Sequence, residues 1–162
     1  GALKNIIALG AGMADGLGYG DNAKAAFVTR GLTEITALGV ALGANPLTLS
    51  GLTGLGDLIA TCASPLSRNH YVGVELTKGR SLKEITNSMD GVAEGVSTTF
   101  AVRNLAQQLG LEMPVTEKIY QVLYESADPH QVATELMAAE VKHELSGRKW
   151  NLFSLFRRRR RS

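Results

Sequence analysis

The chain contains 162 residues, of which 44% are hydrophobic and 20% charged. This length suits one domain with its own core, and the apolar content excludes a chain that is disordered throughout. The net charge of +2 conceals an asymmetry, since residues 142–162 hold eight basic residues and one acidic residue, whereas residues 1–141 hold nine and fourteen. The body is therefore mildly acidic, and the basic character belongs to the end of the chain.

One cysteine, Cys62, is present. A single cysteine excludes an internal disulfide and fits a reducing compartment. No charged segment followed by an apolar run and small residues indicates a secretion signal. We therefore expect the protein to be cytoplasmic.

The segment 5–12, with the sequence NIIALGAG, is an apolar run followed by Gly-x-Gly. Such a run can open a dinucleotide-binding fingerprint, and Glu34 lies about the right distance downstream to contact a ribose. However, Asp15 occupies the position of the third glycine, and Glu34 falls inside a helical pattern rather than at a strand end. The segment therefore predicts a close-packed helix whose small residues let neighbouring helices approach.

Helical periodicity is clearest over residues 21–43. Asp21 is a suitable N-cap for a helix beginning at Asn22, and Gly43 with Asn45-Pro46 supplies the end. Apolar residues recur every three to four positions along this stretch, which predicts that one face is buried: Val28, Leu32, Ile35, Leu38 and Leu42.

Residues 35–56 carry no charged side chain, which raises the question of a membrane span. A spanning helix needs about 20 predominantly apolar residues in succession. This stretch is interrupted by Asn45, Pro46 and glycines at positions 39, 43, 51, 54 and 56. It predicts instead a buried helix, a turn and then a loop at a functional site.

Three further helices are predicted in the second half of the chain. One covers Val96–Leu109, with Phe100 and Leu105 among its apolar residues and Gly110 just beyond its end. The next has Pro114 in its first turn, and the last opens at Asp128-Pro129. The predicted inward residues of the helix at Pro114 are Val115, Ile119, Val122 and Leu123. The last helix runs through Val132, Leu136 and Met137. No stretch alternates as a strand would, so the predicted fold class is all-α.

Polar groups at two places stand out against apolar, glycine-rich surroundings. Lys4 lies among Leu3, Ile6 and Ile7, where its amine would be partly removed from water; the alternative is an ordinary solvated lysine. Asp57 follows Gly54 and Gly56 and is interpreted either as the N-cap of a helix over Leu58–Cys62 or as a ligand-binding carboxylate.

A third polar group lies at residues 67–69, where Ser67 would cap a helix that continues through Tyr71, Val74 and Leu76. Backbone N–H groups at such a start bind anions, and the planar guanidinium of Arg68 suits a phosphate. The alternative is a capped helix with a surface arginine. Residues 91–95 form a glycine-bracketed loop before a helix. The three histidines, at positions 70, 130 and 143, lack ligand spacing, so no metal site is predicted.

Four strings, in order and spacing, carry a family resemblance: Ala2-Leu3-Lys4-Asn5, Gly54-Leu55-Gly56-Asp57-Leu58, Leu66-Ser67-Arg68-Asn69 and Val92-Ala93-Glu94-Gly95. From about Ala2 to about Lys142 the chain resembles the C-terminal, substrate-binding half of bacterial NAD(P)-dependent glycerol-3-phosphate dehydrogenase. The resemblance implies a multi-helix bundle of the 6-phosphogluconate dehydrogenase C-terminal-domain-like type, in which the segment 5–12 belongs to the first long helix.

The resemblance also implies roles for the polar groups. Lys4 would be the proton donor and acceptor and would touch the substrate, and Asp57 would bond a substrate hydroxyl and hold Lys4. The phosphate end of the substrate site would consist of Ser67, Arg68 and Asn69. Contacts with the cofactor would come from Arg68, Val92 and Glu94.

The implied domain organisation is a helical substrate-binding and catalytic domain over residues 1–145 and a basic-aromatic tail over 146–162. The dinucleotide-binding domain is absent from this chain, so NAD(P)H is expected in the full-length enzyme and not bound to this fragment, which we expect to be inactive alone. The implied partners are dihydroxyacetone phosphate or sn-glycerol 3-phosphate, the enzyme's own N-terminal domain and a second subunit in a homodimer. The product would serve phospholipid synthesis.

The tail departs from the family pattern. Its aromatic and aliphatic residues precede five consecutive arginines, at positions 157–161. It is interpreted either as a disordered or loosely docked extension or as an attachment to anionic lipid, where aromatic side chains insert at the interface. Nucleic acid is a further possible partner. An alternative function is thus a non-catalytic helical module that binds a membrane or nucleic acid through this tail.

Co-sedimentation with anionic vesicles tests the membrane interpretation. Each basic residue near such a surface contributes about 1 kcal/mol, so the whole chain should pellet with the vesicles and a chain ending at Glu144 should remain in solution. Equal pelleting of the two would contradict the interpretation.

Overall fold

The computed structural model describes residues 2–45 and 51–138, and within these ranges every regular element is a helix. The helices are α1 (Ala2–Gly16), α2 (Asp21–Ala41), α3 (Leu52–Ala63), α4 (Arg68–Thr77), α5 (Leu82–Ser88), α6 (Glu94–Leu109), α7 (Pro114–Tyr124) and α8, which covers 129–138. The predicted all-α class is confirmed. The predicted tail over 146–162 and the domain boundary at residue 145 lie outside the described residues.

Helix α1 lies at the centre of the fold. All nine residues from Ile6 to Ala14 are buried, and the helix contacts α2, α3, α4, α6 and α7. A helix that is apolar on every side must be surrounded by other elements. The segment 5–12 is therefore helical, as predicted, and the nucleotide-loop interpretation is wrong.

Glycines bring α1 and α4 into backbone contact. A Cβ atom on Gly12 would lie 2.1 Å from the carbonyl oxygen of His70, and one on Gly73 would lie 2.1 Å from that of Leu9. Neither helix could hold any larger residue at these positions without moving away from the other. This contact sets the position of α4, and with it the polar residues at its N-terminus, relative to α1.

A buried carboxylate joins α2 to the start of α7. Glu34 is 6% exposed and accepts hydrogen bonds from the backbone N–H of Val115 at 2.6 Å and from the N–H and hydroxyl of Thr116, both at 3.1 Å. These N–H groups belong to the first turn of α7 and have no partner inside their own helix. Glu34 is thus a structural residue in mid-helix.

The predicted helix ends are correct where the signal is local. Helix α6 ends at Leu109, with Gly110 in the left-handed conformation at φ 65°, and α7 begins at Pro114 with its predicted inward residues buried. The predicted last helix through Val132, Leu136 and Met137 is present as α8, in which Val132 and Leu136 are buried.

Two details of the predicted N-termini are wrong. Asp21 is the first residue of α2 and not its cap, because the extended Gly20 precedes it and no side chain caps the helix. Helix α6 begins at Glu94, two residues earlier than predicted.

One residue of the predicted buried face of α2 is exposed instead, since Leu42 follows the end of the helix and is 58% exposed. The apolar Phe100 of α6 is also exposed. The buried face of α6 consists of Gly95, Thr99, Val102 and Ala106. The small residues face inward because α6 packs closely on α1, while the aromatic residue lies outside beside Tyr124.

The second part of the uncharged stretch 35–56 differs from its prediction. It contains the end of α2 and the beginning of α3, so the glycines at 54 and 56 belong to a helix and not to the predicted site loop. Within the described part of the chain, no helix combines the length and apolarity that crossing a membrane requires.

Substitution of Gly12 by alanine should lower the free energy of unfolding by about 1–3 kcal/mol, because the new methyl group would meet the backbone of α4. Gly56 offers a matched control, since it is also helical and a Cβ atom there meets nothing within 4 Å. Gly56→Ala should stabilise the chain by roughly 0.5–1 kcal/mol. Urea unfolding of both variants checks this, and equal effects would contradict the close contact.

Glu34→Gln should destabilise the chain by about 1–3 kcal/mol at neutral pH, because the amide nitrogen would face donors on Thr116. Burial raises the pKa of Glu34, and this outweighs the bonds from Val115 and Thr116, which lower it. A raised folded-state pKa contributes stability that is present below the unfolded pKa and lost as pH rises through the folded one. The difference in unfolding free energy between the parent chain and Glu34→Gln should therefore become smaller as pH rises.

Urea unfolding from about pH 4 to about pH 8 measures this slope. The exposed Glu112→Gln variant is the control and should leave the unfolding free energy nearly unchanged. A deficit that widened with pH would mean that the folded-state pKa is depressed instead.

Candidate active site

An ion pair joins the first turn of α1 to the middle of α3. The Nζ atom of Lys4 donates to Oδ2 of Asp57 at 2.6 Å. The Lys4 side chain is 31% exposed and that of Asp57 is 57% exposed. The pair is therefore open to a ligand, and one carboxylate oxygen of Asp57 has no share in the bond to Lys4.

Asp57 is held at this place by the apolar side of α3. Leu58 and Cys62, one turn apart, are both buried, and burial raises the pKa of the Cys62 thiol to about 11, so it stays protonated. The N-cap interpretation of Asp57 is wrong because α3 begins at Leu52, five residues earlier. The carboxylate is free of a capping role and pairs across helices instead.

Thr61 lies one turn after Asp57 on α3, and its hydroxyl donates to the Asp57 carbonyl oxygen at 2.7 Å. Residues four apart share a helix face, so this hydroxyl belongs to the same side as the ion pair. Thr61 was not predicted from the sequence, because the region before Leu58 was expected to be a loop. The spacing of four residues would have identified it once Asp57 was placed inside a helix.

The start of α4 carries the predicted anion-binding residues. Ser67 is the N-cap, as predicted, and its hydroxyl accepts from the His70 N–H at 3.3 Å. Arg68 is exposed, and its guanidinium lies against Gly91. Asn69 is buried, and its Oδ1 accepts from the Gly95 N–H at 2.8 Å. Asn69 therefore ties the start of α4 to the start of α6.

The start of α6 also contacts the start of α1. A Cβ atom on Gly95 would lie 2.7 Å from the carbonyl oxygen of Asn5, and the Asn5 amide donates to Glu94 Oε2 at 3.4 Å. Val92, just before the helix, is 71% exposed. Asn5 was missed as a member of the site, although its position next to Lys4 was the available signal.

These contacts form one continuous group. Lys4 and Asp57 are bonded to each other, Asn5 links α1 to α6, and Asn69 links α6 to α4. The structure thus brings an amine, a carboxylate and a guanidinium to the side of the fold where α4 and α6 begin. Helix N-termini favour bound anions, and a lysine paired with a carboxylate is suited to proton transfer.

A second ion-pair group holds the other end of α1 against α4. His70 Nε2 lies 2.8 Å from Asp15 Oδ2, and Lys24 donates to both Asp15 oxygens. Burial raises the pKa of Asp15, but the bonds from His70 and Lys24 outweigh it and lower the pKa overall. Asp15 therefore occupies the third-glycine position for a structural reason. Across residues 2–45 and 51–138, no group of three or more His, Cys, Asp and Glu side chains is placed to hold a metal ion.

The chain is similar to proteins of one family over most of its length. Residues 1–134 match the family described as "NAD-dependent glycerol-3-phosphate dehydrogenase C-terminus". A glycerol-3-phosphate dehydrogenase [NAD(P)+] from Dehalococcoides mccartyi strain 195 is 71% identical over 160 residues, 99% of this chain and 45% of the relative. One from Geobacillus kaustophilus is 59% identical over 145 residues, 90% of this chain and 42% of the relative.

A solved structure has the same fold. The crystal structure of glycerol-3-phosphate dehydrogenase from Coxiella burnetii superposes with a TM-score of 0.81 at 43% identity, covering 85% of this chain and 42% of that one. This chain spans somewhat less than half the length of these curated relatives. The Dehalococcoides match also reaches into residues 146–162, beyond the part matched by the family as a whole.

The family match over residues 1–134, the high identity to the bacterial relatives and the shared helical fold lead to one conclusion. The chain belongs to the family of C-terminal domains of NAD-dependent glycerol-3-phosphate dehydrogenase.

Proposed function

We propose that this chain is the substrate-binding half of an enzyme that reduces dihydroxyacetone phosphate to sn-glycerol 3-phosphate with NAD(P)H. The observation that carries the proposal is the contact between Lys4 and Asp57, two open side chains 53 residues apart in sequence. Family membership supplies the reaction class. The alternative of a non-catalytic helical module is not favoured by either observation.

Lys4 acts as the proton donor to the substrate. Its ammonium group donates a proton to the carbonyl oxygen as that oxygen gains negative charge, and it takes the proton back from the secondary hydroxyl in the reverse direction. Asp57 keeps the Lys4 amine in one orientation through the 2.6 Å bond, and its second oxygen accepts from a substrate hydroxyl. Preorganisation of this kind lowers the cost of reaching the transition state.

The phosphate of the substrate binds at the start of α4. The Ser67 cap orders the first turn, where backbone N–H groups point outward, and Arg68 supplies a charge-assisted fork. Within the described residues no carboxylate lies at ion-pair distance from Arg68, so its donors are available to an anion. Asn69 supports this end by fixing α4 to α6.

The side chains around the start of α6 fit a nicotinamide cofactor. Val92 offers an exposed apolar surface, Glu94 an acceptor and Arg68 a cation beside the same loop. When bound, NAD(P)H supplies the hydride. We propose that a dinucleotide-binding domain holds most of the cofactor, since the relatives are about twice as long as this chain. We further propose that the product serves as a phospholipid precursor and that the enzyme acts in the cytoplasm.

The test is the rate of NAD(P)H oxidation with dihydroxyacetone phosphate by the full-length protein and its Lys4→Ala variant. Loss of the proton donor should lower kcat by roughly 10²-fold or more. Lys83→Ala, on the exposed side of α5, is the matched control and should keep the parent rate. The isolated 162-residue chain should show no turnover.

An inactive full-length protein would refute the proposed reaction. A Lys4→Ala variant within a few-fold of the parent would refute the proposed role of Lys4 and leave the reaction standing.

A further inference from the structure

Arg68 needs something outside its own helix to hold its guanidinium in place. It is the first residue of α4, its side chain is exposed, and no described carboxylate pairs with it. A free arginine side chain loses much rotamer entropy when it binds a ligand. An arginine that is already held loses less, and so binds an anion more tightly.

Gly91 is in contact with that guanidinium. A Cβ atom built on Gly91 would lie 2.9 Å from Cζ of Arg68, 3.0 Å from Nη1 and 3.1 Å from Nε. The backbone of Gly91 has φ 91°, a conformation that side chains disfavour and glycine adopts readily. The guanidinium thus lies on a bare stretch of main chain that only glycine provides without displacing it.

The loop that contains Gly91 is itself fixed to the neighbour of Arg68. Two residues on, Ala93 is buried in the core, and Gly95 donates its N–H to the Asn69 side chain. Asn69 follows Arg68 directly in α4. The loop that carries Gly91 is therefore tied to the start of α4 through the bond between Gly95 and Asn69, which keeps Gly91 close to Arg68.

We propose that Gly91 is a positioning residue that holds the Arg68 guanidinium where it binds the substrate phosphate. This inference rests on the proposed function, and it adds the requirement that residue 91 has no side chain. A methyl group there displaces the end of a flexible side chain, so we expect a defect in substrate binding in addition to the loss of stability that backbone strain at φ 91° causes.

A double-substitution cycle in the full-length enzyme tests the proposal, with the KM for dihydroxyacetone phosphate as the readout. Arg68→Ala should raise KM by roughly tenfold or more, as expected for a lost charge-assisted contact. Gly91→Ala should raise KM several-fold with a smaller change in kcat. In the Arg68→Ala background, Gly91→Ala should have no further effect, because residues that act through one contact are not additive.

Gly79→Ala is the matched control for backbone strain. Gly79 has φ 83°, close to that of Gly91, but a Cβ atom there meets nothing within 4 Å. Both variants should lose similar thermal stability, and only Gly91→Ala should raise KM.

The outcomes separate this inference from the proposed function. A parent enzyme that does not reduce dihydroxyacetone phosphate refutes the function and the inference with it. An active parent in which Arg68→Ala raises KM while Gly91→Ala does not overturns the inference alone. If Gly91→Ala raises KM equally in the parent and in the Arg68→Ala background, the inference is also overturned, since the substitution would then act through the fold and not through Arg68. An unchanged KM in Arg68→Ala also overturns the inference, while the reaction stands.

Discussion

The backbone contact between α1 and α4 is the constraint on which the rest of the structure depends. Gly12 and Gly73 let the two helices approach until the backbone of each meets the α-carbon of the other. Because packed interiors tolerate little added volume, this contact sets where α4 begins. The start of α4 carries the residues proposed to bind the substrate phosphate, so the central helix pair also determines the geometry of the site.

The proposed site combines the starts of helices with Asp57 from the middle of α3 and with Gly91 and Val92 from the loop before α6. The starts of α1, α4 and α6 meet through main-chain and amide contacts of Asn5, Asn69 and Gly95. The starts of α4 and α6 have backbone N–H groups without partners in their own helices, which suits an anionic ligand. The glycines have two functions here: inside helices they permit close packing, and at Gly91 an unusual main-chain conformation leaves room for an arginine.

Several polar residues that could suggest chemistry turn out to maintain the fold. Glu34 and Asp15 both fall at positions relevant to a dinucleotide fingerprint, yet Glu34 satisfies the first turn of α7 and Asp15 binds His70 and Lys24. Burial of a carboxylate is tolerable only with such partners. The residues proposed for catalysis differ in being open: Lys4 and Asp57 share one bond and remain accessible.

The sequence by itself determined the helical class and those helix ends whose signals are local. Ser67, Gly110 and Pro114 act within a single turn, through a capping bond, a left-handed backbone and a missing N–H group, so neighbouring residues suffice to predict them. The family strings also supplied the polar residues that we propose for the site. Only the tertiary structure decided that Asp57 lies inside a helix and pairs with Lys4, that Asn69 binds Gly95 and that Arg68 lies on Gly91. These contacts join residues 23 to 53 positions apart, and their geometry depends on how whole helices pack, which no local pattern encodes.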